Sequence, residues 1–205
     1  MNYEILISFI GASMLLTIMP GPDILYVLTQ SISNGKKYGI ATSLGLVSGI
    51  IIHTSLIAFG VSAILKSSGN LFFIIKLFGA LYLLYLAYKT FKSDEELLLN
   101  TKTDRKGYLK LFKQGFIMNV LNPKVSIFFL AFFPGFLFST TQNTVIQFYV
   151  LGVLFMLQAL LIFSTVAVLS EKFASYLKEY PMFNSRIKWF KIIVFIGIAI
   201  FILFS

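Results

Sequence analysis

Six apolar stretches alternate with short polar connections along the chain, at about residues 5 to 33, 40 to 65, 71 to 91, 109 to 138, 145 to 169 and 187 to 204. Each reaches or approaches the roughly 17 to 25 residues a helix needs to cross the hydrocarbon core of a bilayer. None shows the alternation over about ten residues that marks a transmembrane β-strand. The pattern predicts an all-α integral membrane protein with six transmembrane helices. The one sizeable connection, "KSDEELLLNTKTDRKGYL" at 92 to 109, is polar with a short amphipathic run and predicts a surface helix or a flexible connector.

Two of the stretches interrupt themselves. The first contains Pro20, Gly21 and Pro22, and the fourth contains "NVLNPKVSIFF" with Asn122 and Pro123. Proline removes a helical donor and clashes with the carbonyl one turn back, so each break frees backbone polar groups. At membrane depth such groups are tolerated only against protein or a watery cavity. Each break lies about 12 residues from one end of its stretch, or roughly 18 Å at 1.5 Å per residue, which puts both near the midplane. Three spans precede the second broken one, so the chain reads as two inverted three-helix repeats whose leading helices are broken. The expected layout is one membrane transport domain over 1–205, with a first half at 1–91, a loop at 92–109 and a second half at 110–205. Matching broken spans in two such halves are the sequence pointer to a transporter's binding site.

Composition agrees with a membrane protein: 58% of the 205 residues are hydrophobic and only 12% charged, against roughly 25% in ordinary soluble domains. The net charge of +9 raises nucleic acid as a partner, but the placement of the charges answers it. Lys36, Lys37, Lys89, Lys92, Lys102, Arg105, Lys106, Lys110, Lys113, Lys172, Lys178, Arg186, Lys188 and Lys191 fall in or beside the first, third and fifth loops, whereas Lys66 alone falls on the other face. By the positive-inside rule those three loops are cytoplasmic and both termini lie outside. Topology and attraction to anionic lipid explain the charge, and no nucleic-acid role is expected. The N-terminus, "MNYEILISFIG", has no positive n-region, so the first span is expected to be retained rather than cleaved. There is no Cys and one His, which offers no thiolate or histidine metal cluster, and no cofactor is expected. The 23 Phe and 10 Tyr are expected to lie mostly on the lipid-facing surface and in the interface belts.

Two charges sit at the breaks. Asp23 opens the half-helix after the first, where the dipole favours an anion by about 0.3 to 1 kcal/mol, yet burying an Asp mid-membrane costs about 2.5 to 3.5 kcal/mol. Lys124 sits at the matching place after the second, where its charge opposes the dipole. An Asp23–Lys124 ion pair is the simplest arrangement of the empty site, and it would suit a zwitterion, with an ammonium at Asp23 and a carboxylate at Lys124. Gly21, Asn119 and Asn122 are further candidates for substrate contact. Lys76 is near enough to a span end to snorkel. His53 shares a stripe with Gly45 and Gly49, a spacing that lets another helix approach closely, within the chain or in a homodimer. Its imidazole titrates near neutrality, so it could equally relay protons to Asp23. Gln114 and Gln158 are as well explained by hydrogen bonds between helices as by substrate contact.

"MPGPD", the Gly45/Gly49/His53 stripe, "GALYLLYLAYKTF" at 79 to 91 and "GFIMNVLNPKVSIFFLAFFPGF" at 115 to 136 together resemble the LysE/RhtB superfamily of bacterial amino-acid exporters, over nearly the whole chain. The resemblance implies an exporter of amino acids or their derivatives in the bacterial cytoplasmic (inner) membrane, driven by proton antiport, with the acidic residue after PGP at Asp23 and the lysine after NP at Lys124. One departure is Pro134-Gly135-Phe136, where the family pattern has Pro-Gln-Phe, which leaves Gly135 no polar side chain to offer a substrate. The remaining alternatives are a transporter of another small solute, such as a metal ion or other metabolite, and a structural membrane protein. An enzyme is not expected, because the spans hold no nucleophile and base pair. An ATP-driven pump is excluded for the single chain, because no G-x-x-x-x-G-K-[ST] loop exists.

Overall fold

The computed structural model describes residues 2–67, 69–93, 106–172 and 182–204, which form helices joined by short turns, with no strand among them. The expected surface helix or connector in the 92 to 109 loop falls largely on residues outside that set. The first apolar stretch forms α1 (Tyr3–Ile18) and α2 (Pro22–Asn34). The second forms α3 (Lys36–Leu56), a π-helical turn over Ile57–Val61, and α4 (Ser62–Ser67). Then come α5 (Gly69–Lys92), α6 (Tyr108–Val120), α7 (Pro123–Phe132) with a 3₁₀ turn over Phe133–Phe136, α8 (Thr144–Val168) and α9 (Met182–Phe204). Four helices are long and apolar enough to cross a membrane, and the number reaches six if each bent pair counts as one span. The bends fall at the expected prolines, 60° between α1 and α2 and 52° between α6 and α7.

α3 is the central helix, packed along α6, α8 and α2, while α5 and α9 pair with each other at the periphery. The glycine stripe explains the closest of these contacts. A Cβ at Gly45 would run into the backbone carbonyl of Phe112, one at Gly49 would lie 2.7 Å from Asn119 Oδ1, and one at Gly115 would lie 2.5 Å from the carbonyl of Thr42. The two backbones therefore touch directly, and the stripe that could have served a dimer is spent inside the chain. The outward faces of α5 and α9 carry exposed apolar side chains such as Phe78, Tyr85, Ile193 and Phe204, as lipid contact requires.

The aromatic residues divide between the surface and the core. Among the described residues eleven phenylalanines are buried, and a set of them stacks into one wall. Phe128 lies on Phe132 at 4.3 Å between ring centroids and Phe129 on Phe133 at 4.0 Å, with Phe9 edge-on to Phe133 at 5.0 Å and Phe155 edge-on to Phe129 at 5.1 Å. Belt statistics missed this because "SIFFLAFFPGF" places rings at i, i+4 and i+8 of one short helix, a spacing that stacks side chains on one face. The Lys76 ammonium lies 5.7 Å from the Phe72 ring centroid, one turn back on α5.

Because only hydrogen fits between α3 and α6, Gly45→Val should lower stability by about 1 to 3 kcal/mol through overpacking. Gly197→Val, at a site with nothing within 4 Å, should not. The melting temperatures of the two purified variants against the parent, in one detergent, check this.

Candidate functional site

Proline dictates the local structure at both breaks. An α-helical carbonyl at residue 119 would accept from the N–H of residue 123, but residue 123 is proline and has none. Asn119 O is instead met by the N–H of Asn122 at 3.0 Å and by Nε2 of His53, also at 3.0 Å. A carbonyl oxygen can only accept, so Nε2 of His53 carries the proton. His53 is 2% exposed and lies behind the break, against the α6 backbone and the Phe129 ring. It is not among the residues lining the cavity below, so the structure places it as a buried donor to a freed carbonyl rather than in the expected relay position.

Asn122 does two things. Its Oδ1 caps α7 by accepting from the Lys124 N–H at 3.0 Å, and its Nδ2 donates to Asp23 Oδ2 at 3.0 Å. That second bond ties the two breaks together across 99 residues of sequence. At the first break Gly21 takes the capping position of α2 but has no side chain to cap with.

The expected Asp23–Lys124 ion pair does not form. Among the described residues no direct salt bridge joins them; the carboxylate is held by Asn122, and the Lys124 ammonium rests 3.8 Å from Met19 Sδ and 5.5 Å from the Phe195 ring centroid. Asn122, as the α7 cap, faces Asp23 and takes one of its two oxygens, while the Lys124 side chain runs instead toward Met19 and Phe195. Both charged groups nevertheless border one cavity of about 50 Å³. Its walls are Leu16, Thr17, Met19, Gly21, Pro22, Asp23 and Ile24 from the first break, and Asn119, Asn122, Lys124 and Val125 from the second. Ile50 of α3 and Phe155, Ala159 and Phe163 of α8 complete it. It holds only a few water molecules. Asn119, one of the wall residues, has its Oδ1 buried without a hydrogen-bond partner beside Gly49 of α3.

Of the expected substrate contacts, Gly21, Asp23, Asn119, Asn122 and Lys124 thus converge on one cavity. Gln114 does not: it accepts from Lys106 at 3.1 Å, near the start of α6. Gln158 adjoins the cavity by donating to Thr17 Oγ1 at 3.0 Å. Sequence reasoning missed Thr17, Met19 and the α8 wall. Thr17 had a signal, a polar residue three positions before the first proline, whereas Phe155 and Phe163 look like any other apolar residue of a span.

The sequence model of the family described as LysE type translocator matches residues 13–205. The homoserine/homoserine lactone efflux protein of Salmonella typhimurium (strain LT2) is 29% identical over 178 residues, covering 87% of this chain and 86% of its own length. The protein of the same description from Salmonella typhi matches with the same identity and coverage. No solved structure matches the chain.

The His53 bond gives a stability prediction. His53→Leu should cost about 1 kcal/mol, the net worth of a hydrogen bond, and His53→Gln, which keeps a donor, should cost less. Thermal unfolding of the two variants side by side in detergent tests the order.

Proposed function

Because the chain belongs to the LysE type translocator family, and is accordingly a membrane transporter and not an enzyme, we propose that it is a secondary active exporter. It carries amino acids or their derivatives out across the cytoplasmic membrane in exchange for protons. The observation that carries this reading is the meeting of both helix breaks at one cavity, lined by the Asp23 carboxylate held by Asn122 and by Lys124, whose ammonium lies against Met19 with no salt bridge to Asp23. A zwitterion supplies a charged partner for each. Its ammonium takes Asp23, and its carboxylate draws Lys124 away from Met19 and Phe195, which hold it only weakly. The substrates named for the Salmonella relatives, homoserine and its lactone, carry the amino group this site requires. Homoserine also carries the carboxylate.

The architecture that fits is six spans in two inverted halves, α1 to α5 and α6 to α9, with both termini outside. Support comes from the packing: α3 meets α6 of the other half as α8 meets α1 and α2, while α3 pairs with α8 and α5 with α9. These pairings are the ones a pseudo-two-fold axis in the membrane plane would produce, although α2 also packs on α3 without a comparable contact of α6 or α7 on α8. A cavity of about 50 Å³ is too small for an amino acid, so the halves must part to load it, and alternating access follows from their rocking. The Asp23 carboxylate can hold a substrate ammonium or a proton but not both. Release outside and protonation there are then alternatives at one group, which couples the two fluxes.

Everted membrane vesicles containing the protein, given labelled amino acids with and without an imposed proton gradient, test this. A subset should accumulate only with the gradient, and Asp23→Asn should reduce that uptake at least tenfold, while Lys124→Met should raise KM. Gradient-dependent uptake by Asp23→Asn equal to the parent's would exclude Asp23 as the coupling group. Absence of uptake of every amino acid by folded protein would exclude the export reading itself.

A further inference from the structure

Beyond the ionic end of the cavity the structure holds a second polar cluster. Gln158 Nε2 donates to Thr17 Oγ1 at 3.0 Å, and Thr17 Oγ1 donates to the Ser13 carbonyl at 2.8 Å. The other ends of this cluster are unspent: Gln158 Oε1 and Ser13 Oγ are buried with no hydrogen-bond partner, on residues 8% and 0% exposed. Polar atoms left unpaired at membrane depth are costly and need an explanation. A helix contact alone does not supply one, because a contact between α1 and α8 needs only the Thr17–Gln158 bond or apolar side chains.

The cluster lies behind the cavity wall: Thr17 lines the cavity, whereas Ser13 and Gln158 do not. One turn further along α1 from Ser13 stands Phe9, fully buried and edge-on to Phe133 at 5.0 Å and Phe136 at 5.4 Å, so the polar track stops against the phenyl wall. At its other end Thr17 lines the cavity that holds Asp23 and Lys124. An occupant gripped there by its ammonium and carboxylate has one group left to place, its side chain.

We propose that Thr17, Gln158 and Ser13 form the side-chain end of the binding site and select substrates whose side chain bears a neutral hydroxyl or carbonyl over aliphatic ones of the same size. Gln158 Oε1 offers an acceptor and Ser13 Oγ a donor, so a hydroxyl that reaches the cluster can satisfy either unspent group. An aliphatic side chain leaves them buried and unpaired, and a site built to hydrogen-bond a group rejects analogues lacking it far more strongly than an apolar pocket rejects a missing methylene. The inference rests on the export reading above.

The test compares homoserine with norvaline, in which a methyl replaces the hydroxyl, in proton-driven vesicle uptake by the parent, Gln158→Met and Thr17→Val. The parent should favour homoserine by about tenfold or more, and each variant should reduce that preference by about tenfold, mainly through KM. A merely structural role would lower both substrates together, so an unchanged ratio in both variants would overturn the proposal, as would a parent with no preference. Thr17→Val nearly preserves shape and supplies the ratio if Gln158→Met fails to reach the membrane. A parent that moves no amino acid defeats the export reading and this inference with it, whereas an unchanged ratio in a working exporter defeats the inference alone.

Discussion

The structure depends on one constraint: in hydrocarbon every backbone donor and acceptor must find a partner inside the protein. Most of the chain meets it with unbroken helix. Pro20, Pro22 and Pro123 break that solution at two places, and what surrounds them is arranged to answer the break. At the second, His53 from α3 and the N–H of Asn122 take the carbonyl of Asn119 that Pro123 cannot serve, while the Asn122 side chain caps the new helix. His53 can reach only because Gly45, Gly49 and Gly115 let the two backbones touch. The stripe, the histidine and the proline, separate features in the sequence, are thus parts of one device for keeping a helix end open inside a membrane protein.

An open helix end is useful only if something other than water reaches it. Phe155 and Phe163 of α8 close one side of the cavity with apolar surface, and Phe155 is backed by the stacked rings of α7 through Phe129. Inside such surroundings a charge interacts more strongly with whatever polar group is near than it would in water. The wall and the breaks therefore belong together: the breaks supply directed polar groups, and the wall makes each of them count.

Much of this was legible in the sequence. The apolar stretches predicted the helices to within a few residues, because length and hydropathy dominate in lipid and little competes with them. The two breaks and their charges could be read because proline and embedded ionic residues are rare there. What could not be read was lateral: that Asn122 would reach Asp23 before Lys124 did, that His53 would face a backbone carbonyl instead of the cavity, and that seven buried phenylalanines would pack ring against ring. Each depends on which face of one helix meets which face of another. In chains this apolar, the hydrophobic pattern that marks an inward face in soluble helices is nearly absent, since lipid-facing and core-facing residues are alike.

The interposition of Asn122 has a consequence for energetics. A direct ion pair between Asp23 and Lys124 would be its own best partner, and a zwitterion would have to break it before gaining anything. With a neutral amide on the carboxylate and only a thioether and a ring near the ammonium, the empty site is held together loosely and the exchange of partners costs little. In the proposed cycle the empty site and the site loaded with a zwitterion both carry zero net charge, one carboxylate balancing one ammonium. The returning form, with a proton on Asp23, carries the positive charge of Lys124 alone. The charge movement then falls on the return limb, toward the cytoplasm, where a membrane potential negative inside drives it. Outward movement of the substrate need not work against that potential. In that cycle Lys124 loses its counter-charge only when Asp23 is protonated, which produces this division of labour and would give a physical reason for an ammonium set against the dipole of its own helix.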